Sequence, residues 1–177
     1  MIARILLALL FIGFGMGFTM SASAQPAPPE VPASINPPAG TALVRMVHAS
    51  GSQIYTCGTG ADGKAAWTLK APDAELRDNN GKVVGHHSAG PSWRYDDGSE
   101  ITGKAAARAD APDAKDIPWL LLNVVDHKGE GTLSHVTAVQ RVNTKGGQPP
   151  ASGCDSSHAN AEVKVPYTAD YYFYGPK

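Results

Sequence analysis

The residues able to do chemistry crowd into positions 81–103. That stretch carries the adjacent pair His86-His87, then Trp93, Tyr95, Asp96 and Asp97, in two short extended runs joined at Gly90-Pro91 and turning at Asp97-Gly98. An imidazole and a carboxylate in one hairpin are the raw material of general acid–base catalysis. His87 with Asp97 is therefore the pair a hydrolase would use, and Asp96, Asp97 and Glu100 could supply the two carboxylates of glycosidic chemistry. The plainer reading of Asp97 is the turn itself, because Asp-Gly is the ordinary residue choice for a tight turn.

Metal chemistry is poorly served. Ligands on a strand share a face at i and i+2, whereas His86 and His87 are neighbours and point to opposite sides. His48, His127, His135 and His158 are scattered, with no H-x-H or H-E-x-x-H. No G-x-S-x-G elbow, dinucleotide fingerprint or phosphate loop occurs. The expectation is no metal and no cofactor. Trp67, Trp93 and Trp119 with the tyrosines could line a sugar- or peptide-binding surface, but their alternation with polar residues favours core packing. The candidate binding residues are Gln53, Tyr55, His87, Trp93 and Asp97.

The elements around them read as β. Leu43–Val47 and Gln53–Cys57 are two runs separated by Gly51, and Gly60-Ala61-Asp62-Gly63 is a hairpin turn. Trp67 and Leu69 alternate with Thr68 and Lys70, and Ala71-Pro72 interrupts that run. Val83-Val84 and the Trp93/Tyr95 face follow. Ala105–Asp116 reads as a surface loop. Pro118–Val125 is apolar on both faces and belongs at the centre of the core. Leu133, Val136, Val139 and Val142 recur every third residue, which suits a helix as well as a bulged strand; β-branching favours strand. Tyr167, Ala169, Tyr171 and Phe173 alternate with Thr168, Asp170 and Tyr172 as a terminal strand. Eight or nine short strands, frequent turns and no amphipathic helix predict an all-β fold, an antiparallel sandwich or barrel.

The chain has 177 residues, 42% hydrophobic and 18% charged, which fits one domain. A net charge of −1 offers no electrostatic footprint for nucleic acid or an anionic membrane. Arg4, the apolar run Ile5–Phe18 and Ala22-Ser23-Ala24 form a secretory signal pattern over residues 1–24, with Gln25 beginning the mature chain. The apolar run is short for a spanning helix of about 20 residues, so no stable membrane insertion is expected after cleavage. Residues 25–40 are a Pro-rich linker and 41–177 the single domain. Export, to the periplasm or beyond the cell, would pair the only cysteines, Cys57 and Cys154.

Several motifs together resemble one family. They are Gln53–Cys57, Gly85 with His87 and Ala89-Gly90-Pro91-Ser92-Trp93, Asp97-Gly98-Ser99, Ile117–Leu121, Gln140–Thr144 with Gly146-Gly147, and Val165–Tyr174. The chain is similar, over about residues 42–174, to secreted bacterial and fungal proteins grouped only as a domain of unknown function. Ser88 stands where an aromatic is common. Fungal relatives are sometimes named malate dehydrogenases, for which this sequence has no cofactor fingerprint. The resemblance implies the domain boundaries and the disulfide and brings no activity. The resulting expectation is a non-enzymatic, exported β module that binds an unidentified ligand or envelope component; the alternative is an extracytoplasmic hydrolase using His87 and Asp97.

Overall fold

Strand β1 (Thr41–Thr59) organises the molecule, pairing with β2 (Ala65–Arg77) along one edge and with β8 (Glu162–Pro176) along the other. In this computed structural model, which describes residues 27–60 and 62–177, every strand is antiparallel to its neighbours. After β2 come β3 (Val83–Ser88), β4 (Ser92–Tyr95), β5 (Glu100–Ala109), β6 (Trp119–Lys128) and β7 (Ala138–Gly146). The sheet closes as β1-β2-β3-β4-β5-β6-β7-β8 and back to β1. The all-β expectation holds, and the architecture is an eight-stranded up-and-down barrel. Closure gives every strand a partner on both sides, although β2 and β5 run past their short neighbours β3 and β4. The signal pattern at 1–24 lies outside the described residues. No helix among those described is long and apolar enough to cross a membrane.

Several local expectations change. The two runs on either side of Gly51 are one strand of 19 residues. Gly51 does not break β1. It lets β2 come close, since a Cβ there would lie 2.1 Å from the carbonyl oxygen of Asp73. Pro72 does not interrupt β2 either. It pairs with Gln53, and β3 joins only from Ala74 onward, so the absent N–H costs no ladder bond on the far side. Ala105–Ala109 continues β5, and Asp116 is buried, accepting the Gly146 N–H at 2.6 Å and pairing with Lys145 at 3.0 Å. Only the stretch between them is loop.

Alternate residues point inward. Val47 and Ala49 of β1, Leu76 of β2, Trp93 of β4, Ile101 of β5, Val139 of β7 and Tyr171 and Phe173 of β8 form the barrel core. Outward positions such as His48 and Ser50 on β1 or Lys164 and Thr168 on β8 are polar and exposed. That is the reverse of the apolar outward band of a membrane-spanning barrel. One sector of the outer wall is the exception. Met46, Ala138, Val142, Tyr172 and Tyr174 are covered by the segment around the 3-10 turn Ala33–Ile35, whose Ile35 is wholly buried. Gln140 fixes this cover: its Nε2 donates to the Ile35 carbonyl at 2.8 Å, and its Oε1 accepts from the Tyr174 hydroxyl at 3.2 Å. The Pro-rich stretch thus ends in a docked buttress.

The buttress also explains two sequence patterns. Pro118–Val125 is not the centre of the core: Leu122 faces inward, Trp119 and Leu121 meet the buttress side, and Val125 is exposed. The three-residue recurrence is coincidental. Val139 faces in, Val142 faces out beneath the cover, and Leu133 and Val136 belong to the connection before β7.

Cys57 and Cys154 are bonded, with Cα atoms 5.3 Å apart and a separation of 97 residues. The bond ties the end of β1 to the long β7–β8 connection. Backbone bonds from Cys57 N to Ala161 O (2.8 Å) and Asn160 N to Cys57 O (2.9 Å), and a side-chain bond from Trp67 Nε1 to Ser152 O (3.0 Å), reinforce it.

Candidate functional site

The connections after odd-numbered strands gather at one mouth of the barrel, and those after even-numbered strands at the other. At the first mouth lies a cavity of ≈ 300 Å³ to which every strand contributes. Gln53 comes from β1, Leu69 and Pro72 from β2, His87 from β3, Trp93 from β4, Ala105 from β5, Leu120 and Leu122 from β6, Arg141 from β7 and Tyr171 from β8. Gly90-Pro91, a cis peptide, adds the β3–β4 turn to the rim. Because β3 and β4 are only 6 and 4 residues long, the wall is low on that side.

His87 and Trp93 are cross-strand partners on the inner face. Their rings stack at 4.6 Å with 13° between planes, and Tyr171 meets both edge-on, at 5.0 Å and 5.5 Å. Such contacts between buried rings add to their area burial. Gly103 makes room for the indole, since a Cβ there would sit 2.9 Å from Trp93 Cζ3.

His87 Nδ1 is 2.8 Å from the Ser92 carbonyl oxygen. A carbonyl accepts only, so Nδ1 carries the hydrogen and donates, leaving Nε2 as an acceptor. Burial lowers the His87 pKa to about 3; the Ser92 bond opposes this and the Arg141 cation adds to it. The ring is therefore neutral at pH 7. Gln53 is 1% exposed and its Nε2 has no hydrogen-bond partner, whereas the equally buried Tyr171 hydroxyl interacts with Tyr167 and Arg141. Among the described residues, Gln53 Nε2 is thus a polar atom left unsatisfied beside the cavity.

The neutral His87 has a consequence for stability. Its folded pKa lies below the unfolded value of about 6.5, so the unfolded chain takes up the proton first. The stability that the neutral ring contributes is complete above about pH 6.5 and is lost as pH falls toward about 3, at about 1.4 kcal/mol per pH unit at most. Thermal melts of the wild type should fall more steeply between pH 6.5 and 4 than those of H87Q. Parallel slopes would show that His87 is not held neutral.

The five residues expected at the site separate. Gln53, His87 and Trp93 meet at the cavity. Tyr55, one inward position further along β1, donates its hydroxyl to the Gly147 carbonyl at 2.6 Å and braces the β7–β8 connection. Asp97 sits in the β4–β5 turn, at the opposite mouth. Its carboxylate accepts from Ser99 N (3.0 Å), Ser99 Oγ (2.6 Å) and Thr132 N (2.7 Å). Desolvation raises its pKa, and those hydrogen bonds outweigh that and hold it well below the usual carboxylate range. It lines a separate cavity with Arg45 and Lys82, so His87 and Asp97 do not converge on one space. Among the described residues no three His, Cys, Asp or Glu side chains are placed to hold a metal ion.

Sequence reasoning did not single out Arg141 for the site. The available signal was a charged residue at an inward position, two residues after Val139 on a strand whose neighbours are apolar.

These features define a class: a closed antiparallel barrel with a cavity in its mouth and a buried, unsatisfied amide beside it. The chain belongs to the family described as protein of unknown function (DUF3455), whose model matches residues 38–175. No match was found among curated proteins or solved structures.

Proposed function

We propose that the protein is an exported, non-enzymatic barrel that binds one small molecule in the mouth formed by all eight strands. The observation that carries this reading is the cavity itself: concave, mainly apolar, with a few polar groups converging from different strands, the usual make-up of a small-molecule site. Eight-stranded barrels are of a size to hold one small ligand, an analogy from architecture alone. The signal pattern at 1–24 supports export, and a disulfide is at home outside the cytoplasm. The pairing of His87 with Asp97 as hydrolase acid and base is not carried forward, because the two residues line separate cavities.

A thermal-shift screen of the mature protein against small aromatic and alicyclic compounds tests the reading. Hits are expected to raise the Tm, to perturb the Trp93 indole resonance, and to lose affinity in H87A and Q53A. A library without a single such hit overturns it, as do hits whose affinity both substitutions leave unchanged.

A further inference from the structure

Arg141 is one of two cations that line this cavity, the other being Lys70, and the two differ in their partners. Arg141 lies on the inner face of β7, paired with Leu120 of β6 and Tyr171 of β8. One terminal nitrogen donates to the Pro118 carbonyl at 2.8 Å, while Nε is buried without a partner. None of the ion pairs among the described residues includes Arg141. Its field reaches Tyr55, His87, Tyr167 and Tyr171, and burial keeps all four neutral at pH 7. The mouth of the barrel therefore holds a half-buried guanidinium that, among the described residues, has no carboxylate within ion-pair distance. A half-buried cation facing an apolar cavity attracts an anion more strongly than the same cation in open water.

We propose that the ligand is a small organic carboxylate whose carboxylate pairs with Arg141 and whose planar apolar body lies against Trp93, Leu120 and Leu122. This rests on the cavity reading above and adds the charge and chemical class of the occupant. A planar guanidinium matches a carboxylate in a forked geometry. A single anionic charge suffices, because the other cation on the lining, Lys70, is already paired with Glu162. A phosphate dianion would need a second free cation. A cavity of ≈ 300 Å³ has the volume of about ten water-sized groups, so the body is one or two rings rather than a long acyl chain. Gln53 Nε2 is a donor left for the second carboxylate oxygen, and His87 Nε2 accepts from a hydroxyl or N–H on the ring.

The test uses matched pairs on the intact mature protein: benzoate, phenylacetate and indole-3-acetate against benzamide, phenylacetamide and indole-3-acetamide, titrated by calorimetry. At least one acid should bind about tenfold or more tightly than its amide. That preference should vanish in R141Q and be largely retained in R141K. Amides binding as well as acids would overturn the carboxylate assignment and leave the cavity reading standing. An acid preference that survives in R141Q would overturn the role of Arg141. Binding by neither series would overturn both readings. Should R141Q fail to fold, the acid–amide comparison in the wild type and R141K still decides.

Discussion

Replacing both cysteines, as C57A/C154S, is expected to lower the stability of the domain by about 4–5 kcal/mol, the chain-entropy value for a closed loop of about 100 residues. Many domains have only about 5–15 kcal/mol in total, so the reduced chain should be marginal at 37 °C. The midpoint of urea unfolding should drop by roughly 2 M, with a steeper slope because the unlinked unfolded chain exposes more surface. The reason is topological. Closure requires β1 to pair with β8 across almost the whole sequence, and the bond holds the end of β1 to the connection that leads into β8. A shift equivalent to less than about 1 kcal/mol would mean that the hydrogen bonds from Cys57 to Ala161 and Asn160 hold this junction without sulfur.

Trp93→Ala is expected to cost about 3–5 kcal/mol, the range for emptying a large buried aromatic site. The indole is 1% exposed, stacks on His87, meets Tyr171 and Phe173 edge-on and fills the notch left by Gly103. W93F, which keeps a ring, should lose much less stability and should keep part of the affinity for an aromatic ligand. Equilibrium denaturation of both variants decides the point. If W93A loses under about 1 kcal/mol, the mouth collapses around the gap and the cavity is not a rigid feature. The substitution is thus a poor binding control, since it tests the core and the site together. His87 and Gln53 are better probes because more of their contribution is polar.

Much of the wall was legible in the residues. Period-two alternation from Tyr167 to Phe173 gave the inward face of β8 correctly, and two lone cysteines read beside a signal pattern gave the bond. His87 and Trp93 were rightly grouped because a hairpin makes them neighbours in space as well as in sequence. Closure was not legible. It depends on the register of β1 against β8, a match of residues more than a hundred positions apart that no local pattern encodes. Gly51 and Pro72 were misread as breaks because each is tolerated by its neighbours, one by the close approach of β2 and the other by an unpaired flank. Asp97 carries the chemistry of an acid and the job of a turn, and only the positions of Ser99 and Thr132 distinguish the two. Arg141 was overlooked because an arginine on a strand usually points to water, and its inward direction follows from register alone.

The docked residue Ile35 bears on how this protein is handled in the laboratory. The family boundary falls at residue 38, three positions beyond it. A recombinant chain trimmed to that boundary would keep all eight strands yet lay bare an oily stripe beside Met46, Val142 and Tyr172. Clumping of such a preparation would report a misplaced cut, whereas a start at Gln25 carries its own stopper.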